Sequence, residues 1–143
     1  MTKNKQRWLG IDFGSRRIGV AISDPLGFLA RRLETISWNG RDMDWAIARL
    51  AELVRSEQIT GVVVGLPRRT DGRTGESELL ARAFAQALQD ATGLVPVLRD
   101  ERYTTVLAGR IMRETKVASA DRKKVVDQIA AEIILQDYLD SRR

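Results

Sequence analysis

The chain has 143 residues, a net charge of +5 from 24 Lys and Arg against 19 Asp and Glu, and neither Cys nor His. Those two absences exclude disulfides, thiolate nucleophiles, His general bases, Ser-His-Asp triads and Cys/His zinc sites. What remains is carboxylate-bound Mg²⁺ or Mn²⁺, carboxylate acid–base pairs, Lys or Tyr chemistry, or no catalysis.

The positive charge rests on 19 Arg and 5 Lys. It favours a polyanionic partner, nucleic acid first, and Arg is the side chain suited to forked phosphate contacts. The length predicts one domain over 1–143 with room for a core. No apolar run approaches the ~20 residues that span a bilayer. The basic start, Met1 to Arg7, leads into a strand rather than a signal-peptide core. A cytoplasmic protein with no membrane partner is the expectation, and monomer and homodimer stay open.

Three strands open the chain, Trp8 to Phe13, Ile18 to Ser23 and Phe28 to Ile36, separated by Gly14-Ser15 and Asp24-Pro25-Leu26-Gly27. Such short turns imply antiparallel neighbours. After the loop Ser37-Trp38-Asn39-Gly40, residues Ile47, Leu50, Ala51 and Val54 recur at helical spacing up to about Ser56. The run Gly61 to Gly65 is continuously apolar, as in a strand covered on both faces.

Pro67 to Gly75 is an Arg-rich loop. A helix follows from about Ser77 to Ala91, stopping near Gly93, and then a short strand, Val95 to Leu98. Thr104 can cap a helix through about Glu114. The polar stretch Thr115 to Asp121 leads to a last helix, Arg122 to about Leu139.

The order β-β-β-α-β-α-β-α-α predicts an α/β fold: a mixed five-stranded sheet with an antiparallel hairpin edge and helices on both faces. Right-handed crossovers make strands 1, 4 and 5 parallel, so their C-terminal ends share one rim, where open α/β sheets place ligands.

Acids collect at that rim. Asp12 ends an otherwise apolar strand, where a carboxylate is costly unless paired, hydrogen-bonded or bound to a cation; a turn residue accepting backbone N–H groups is the competing reading. Asp100-Glu101 ends strand 5. Asp127 shares the apolar face of the last helix with Ala130, Ala131, Ile134 and Tyr138. Three carboxylates beside basic loops match two-metal phosphoryl transfer.

Each residue also has an ordinary reading. Glu101 pairs with Arg99 or Arg102, or caps the following helix. Asp127 forms an i, i+4 pair with Lys123, worth a few tenths of a kcal/mol. Arg68, Arg69 and Arg73 form a solvated loop. The Arg-Lys-Lys run at 122 to 124 is a solvated helix start, although cations oppose the dipole there and a nearby anion would resolve that conflict.

Four segments in order, Gly10 to Ala21, Val64-Gly-Leu-Pro67 with Asp71-Gly72, Asp100-Glu-Arg-Tyr-Thr-Thr105 and Asp127 to Gln136, resemble the motifs of the YqgF/RuvX family along nearly the whole chain. The resemblance implies a ribonuclease H-like fold. It also implies a Mg²⁺- or Mn²⁺-dependent nuclease whose catalytic, metal-holding acids are Asp12, Glu101 and Asp127, favouring Glu101 over Asp100. The family is associated with trimming the 5′ end of precursor 16S ribosomal RNA, and has also been described as a Holliday junction resolvase, so precursor rRNA and branched DNA are both expected partners. Arg68, Arg69, Arg73, Arg102, Lys123 and Lys124 would bind the strand, giving affinity rather than sequence specificity.

Arg68-Arg69-Thr70 departs from the less charged segment expected there, such as Leu-Asn-Met, which puts that loop's substrate contacts in doubt. Two other readings compete. Asp12-Phe-Gly-Ser resembles the first phosphate loop of sugar-kinase and actin-like ATPases, but those close two such domains around a nucleotide. A non-catalytic nucleic-acid-binding module of the same fold would be expected to lose one of the acids, and all three are present.

Overall fold

The computed structural model describes residues 6–66, 75–100 and 122–142. Five strands, β1 (Trp8–Phe13), β2 (Arg17–Ser23), β3 (Ala30–Ser37), β4 (Gly61–Leu66) and β5 (Val97–Asp100), form one sheet in the order β3-β2-β1-β4-β5. β1 and β2 pair antiparallel, as do β2 and β3; β1 and β4 pair parallel, as do β4 and β5. The described helices are α1 (Asp44–Ser56), α2 (Glu76–Thr92) and α3 (Arg122–Ser141). The mixed sheet, the hairpin edge and the parallel core are as the turn lengths and the apolar runs predict.

Strand alternation divides the core in two. Leu9, Ile11 and Phe13 of β1, Ile18, Val20 and Ile22 of β2, and Val62, Val64 and Leu66 of β4 pack with Leu50 of α1 and Phe84 and Leu88 of α2. On the opposite face Ala21 and Val63 pack with Ala131, Ile134, Leu135 and Leu139 of α3. The Val62-Val63-Val64 run is fully buried because helices cover both of its faces.

The α3 face is built for close approach. A Cβ on Gly10 would lie 2.5 Å from the Cβ of Leu135, so the glycine lets the helix sit directly on β1. At the far end of β1 the Trp8 ring covers Gly61 and packs at 5.0 Å from Tyr138.

β3 and β5 each start two residues later than expected, for a local reason. β3 starts at Ala30 rather than Phe28 because the Asp24 carboxylate accepts the N–H groups of Leu26, Phe28 and Leu29 at 3.2, 2.7 and 2.8 Å, holding them in a turn. Burial works against ionisation of Asp24, but these three donors outweigh it and hold its carboxyl below the ordinary value. β5 runs from Val97 to Asp100 rather than from Val95 to Leu98. Pro96 has no N–H to give a ladder, and pairing starts at Val97, opposite Val63. α2 ends as expected, with Gly93 at φ +78 donating its N–H to the Gln89 carbonyl.

The loop 67–74 with Arg68, Arg69 and Arg73, the residues Glu101 and Arg102, and the expected helix 104–114 with its polar tail lie outside the described residues.

Candidate acidic site at the sheet rim

Asp12 lies opposite Gly19 of β2 on one side and Gly65 of β4 on the other, and Gly65 lies opposite Arg99 of β5. Gly19 is two residues from Ala21, Gly65 two from Val63 and Arg99 two from Val97, all of which face α3. One cross-strand row on the α3 face therefore reads Gly19, Asp12, Gly65, Arg99. The acid is flanked on both sides by residues without side chains, and the room above Gly19 is taken by α3.

Asp127 arrives from above. α3 crosses β2 so closely that a Cβ on Gly19 would fall 1.9 Å from the Asp127 carbonyl oxygen and 3.0 Å from its Cβ. Since Gly19 is the cross-strand partner of Asp12, this contact brings the helix acid to the strand acid. The Asp127 side chain is only 17% exposed. Burial raises its pKa above the ordinary carboxylate value, the hydrogen bond and charge of Arg17 oppose that rise, and the charge of Asp12 adds to it.

Arg17 is the residue that sequence reasoning missed. Its Nε donates to Asp127 Oδ2 at 2.7 Å across 110 residues of chain. The i, i+4 pair of Asp127 with Lys123 is therefore replaced by a long-range pair from the facing strand, and Lys123 and Lys124 stand exposed at the start of α3. The only sequence signal for Arg17 was its place two residues before Gly19, on the alternation that carries Asp12's neighbours.

Trp38 lies in the loop after β3, as expected, and also acts as a staple. Its indole N–H donates to the Gly14 carbonyl at 2.8 Å and its backbone N–H to the Arg16 carbonyl at 3.0 Å. It fixes the turn that follows Asp12. Phe13, on the opposite face from Asp12, packs between Trp38 and Phe84 at 5.4 and 4.4 Å.

β5 ends at Asp100. Asp100 pairs with Leu66, which belongs to the α1/α2 core, so alternation turns Asp100 away from Asp12's side of the sheet. Arg99 pairs with Asp137 of α3 and lies 5.7 Å from the Tyr138 ring centre, so the partner first considered for Glu101 is engaged with α3.

Among the described residues no three acidic, His or Cys side chains come together to hold a metal. Asp12 and Asp127 form a two-carboxylate set with oxygen donors only, the chemistry preferred by hard divalent cations. A cation between them would relieve the repulsion from Asp12, which adds to the effect of burial on Asp127. The donor set therefore fits a hard divalent cation such as Mg²⁺ or Mn²⁺. Among these residues, no helix is long and apolar enough to cross a membrane.

A family model described as "RuvX: Holliday junction resolvase" matches residues 6–141. A Leuconostoc citreum protein named "Putative pre-16S rRNA nuclease" is 45% identical over 136 residues, covering 94% of this chain and 95% of its own. A protein of the same name from Acetivibrio thermocellus is 46% identical over 137 residues, covering 95% and 96%. Among solved structures, Thermus thermophilus RuvC in complex with a Holliday junction substrate superposes with a TM-score of 0.61 at 14% identity, covering 96% of this chain and 95% of its own. At that identity the likeness establishes the ribonuclease H-like fold.

Proposed function

The chain belongs to the RuvX family, and on that premise we propose that it is a divalent-metal-dependent nuclease that trims the 5′ end of precursor 16S ribosomal RNA in the cytoplasm. The observation that carries this reading is the convergence of Asp12 and Asp127, from a strand end and a helix, over Gly19 at one sheet rim. Relatives at 45 and 46% identity that carry the rRNA nuclease name favour RNA as the substrate.

Asp12, Glu101 and Asp127 would hold the metal. When bound, Mg²⁺ or Mn²⁺ supplies Lewis acidity, offsetting charge on the phosphate and activating water as the nucleophile. The chain's own residues supply the rest. Gly19 lets α3 bring Asp127 down to Asp12, and Trp38 keeps the adjoining turn rigid. Lys123 and Lys124 stand one turn before Asp127, where a phosphate would relieve two cations crowded at a helix N-terminus. Arg68, Arg69, Arg73 and Arg102 would hold the strand through its backbone charge.

A second reading, resolution of branched DNA, is favoured by the family description as a Holliday junction resolvase. Side-by-side cleavage of a precursor rRNA 5′ leader and a four-way DNA junction, with Mn²⁺ or EDTA, separates the two. The expected result is Mn²⁺-dependent cleavage of the leader by wild type and its loss in Asp12→Asn, Glu101→Gln and Asp127→Asn. Cleavage of the junction alone assigns the resolvase activity instead. Wild-type rates in Glu101→Gln would remove that residue from the site.

A further inference from the structure

We propose that Arg17 is the internal counter-cation of the acidic site, a positioning residue that holds Asp127 at the rim until a divalent cation takes its place. The inference rests on the metal-dependent reading above and concerns what this chain does before metal arrives.

Arg17 begins β2 on the same sheet face as Gly19, and the three charged groups Asp12, Arg17 and Asp127 converge around that glycine. Without a cation, two carboxylates share a partly buried rim, which is unfavourable. The guanidinium supplies a positive charge from within the chain.

The form of the contact is that of an exchangeable pair. Arg49, a structural arginine elsewhere on the molecule, meets Glu34 through Nε and Nη2 at 2.9 and 2.7 Å and Glu52 through Nη1, so its fork is fully engaged. Arg17 meets Asp127 through Nε and a single oxygen. Its side chain is 35% exposed, so it can leave toward solvent.

Departure need not disturb the fold. The Arg17 backbone is fixed independently, by pairing with Ser37 and by accepting the Gly14 N–H at 3.0 Å. Only side-chain torsions must change for Asp127 to be released.

A cation entering beside a resident guanidinium meets a like charge a few ångströms away, which weakens its binding. Removing Arg17's charge should therefore tighten metal binding while destabilising the metal-free protein. A purely architectural arginine predicts the reverse for affinity, because losing it would misplace Asp127.

Mn²⁺ titration calorimetry and thermal melts on wild type, Arg17→Gln and Arg17→Lys test this. Arg17→Gln should bind Mn²⁺ roughly tenfold tighter, melt lower in EDTA, and gain more on adding Mn²⁺. Arg17→Lys, which keeps the charge, should stay near wild type in affinity. Equal or weaker Mn²⁺ binding by Arg17→Gln overturns the inference and leaves the nuclease reading standing. A wild type that binds no Mn²⁺ removes both. If Arg17→Gln fails to fold without metal, recovery on adding Mn²⁺ supports the assignment, and failure to recover overturns it.

Discussion

Gly19 of β2 and Asp127 of α3 meet with no room for a methyl group between them, a Cβ on Gly19 falling 1.9 Å from the Asp127 carbonyl oxygen. The glycine is thus both a packing element and the device that sets the height of Asp127 above Asp12.

Gly19→Ala should lift or tilt the first turns of α3. Overpacking of this kind costs about 1–3 kcal/mol, and backbone is the obstacle here, so the upper part of that range is expected in chemical denaturation. The metal-induced stabilisation should shrink in the same variant, since Asp127 moves away from its partner. A Gly19→Ala protein with wild-type stability and wild-type metal response would detach the contact from the site.

Asp12 and Asp127 repel in the absence of a cation. Asp12→Asn should therefore leave the metal-free protein as stable as wild type or more so. Metal should reverse the order. A ligand that binds only the folded state stabilises it by roughly 2.7 kcal/mol at a hundred times Kd, and the variant should lose most of that gain. Mn²⁺ should act at lower concentration than Mg²⁺, following its higher place among divalent ions. Thermal melts in EDTA, Mg²⁺ and Mn²⁺ measure this, and equal shifts in both proteins would reduce Asp12 to a turn residue.

The range of a contact decides whether it is legible in the sequence. β1, β2 and β4 were legible because apolar alternation and unbroken Val runs are local signals, and Gly93 marked the end of α2. The start of β3 was missed because the Asp24 carboxylate takes three N–H groups out of the ladder. Pro96 could have been weighed against a strand starting at Val95. Asp12 and Asp127 stood out as acids on apolar faces, a mismatch visible in one dimension. Arg17 and Trp38 did not stand out. The first finds its partner 110 residues away, and the second acts through a carbonyl of a turn that exists only once β1 and β2 have paired.

The raised pKa of Asp127 gives the metal-free protein a defined pH response. The folded state holds the proton more tightly than the unfolded chain, so this group's contribution is fully present below the ordinary value of 3.8 and is lost as pH rises through the folded pKa. The stability of wild type relative to Asp127→Asn should therefore fall over that window in EDTA. Protons should also compete with Mn²⁺ for Asp127 up to a higher pH than for an ordinary aspartate. Denaturation curves for both proteins from pH 3.5 upward would show it, a constant difference being the contrary result.

The Arg-rich segment leaving β4 gives the last prediction. β4 ends at Leu66, one residue beyond Gly65, the neighbour of Asp12, so Arg68, Arg69 and Arg73 follow directly from the rim that carries the acids. If they contact phosphates, replacing all three by Ala should weaken binding to a similar degree across nucleic-acid sequences. It should also flatten the plot of log affinity against log salt, each lost contact reducing the slope by about 0.7 on single strands and 0.9 on duplex. Because the two values differ, running the titration on a single-stranded leader and on a four-way junction also reports which form engages the loop. An unchanged slope on both ligands would return the three arginines to an ordinary solvated loop.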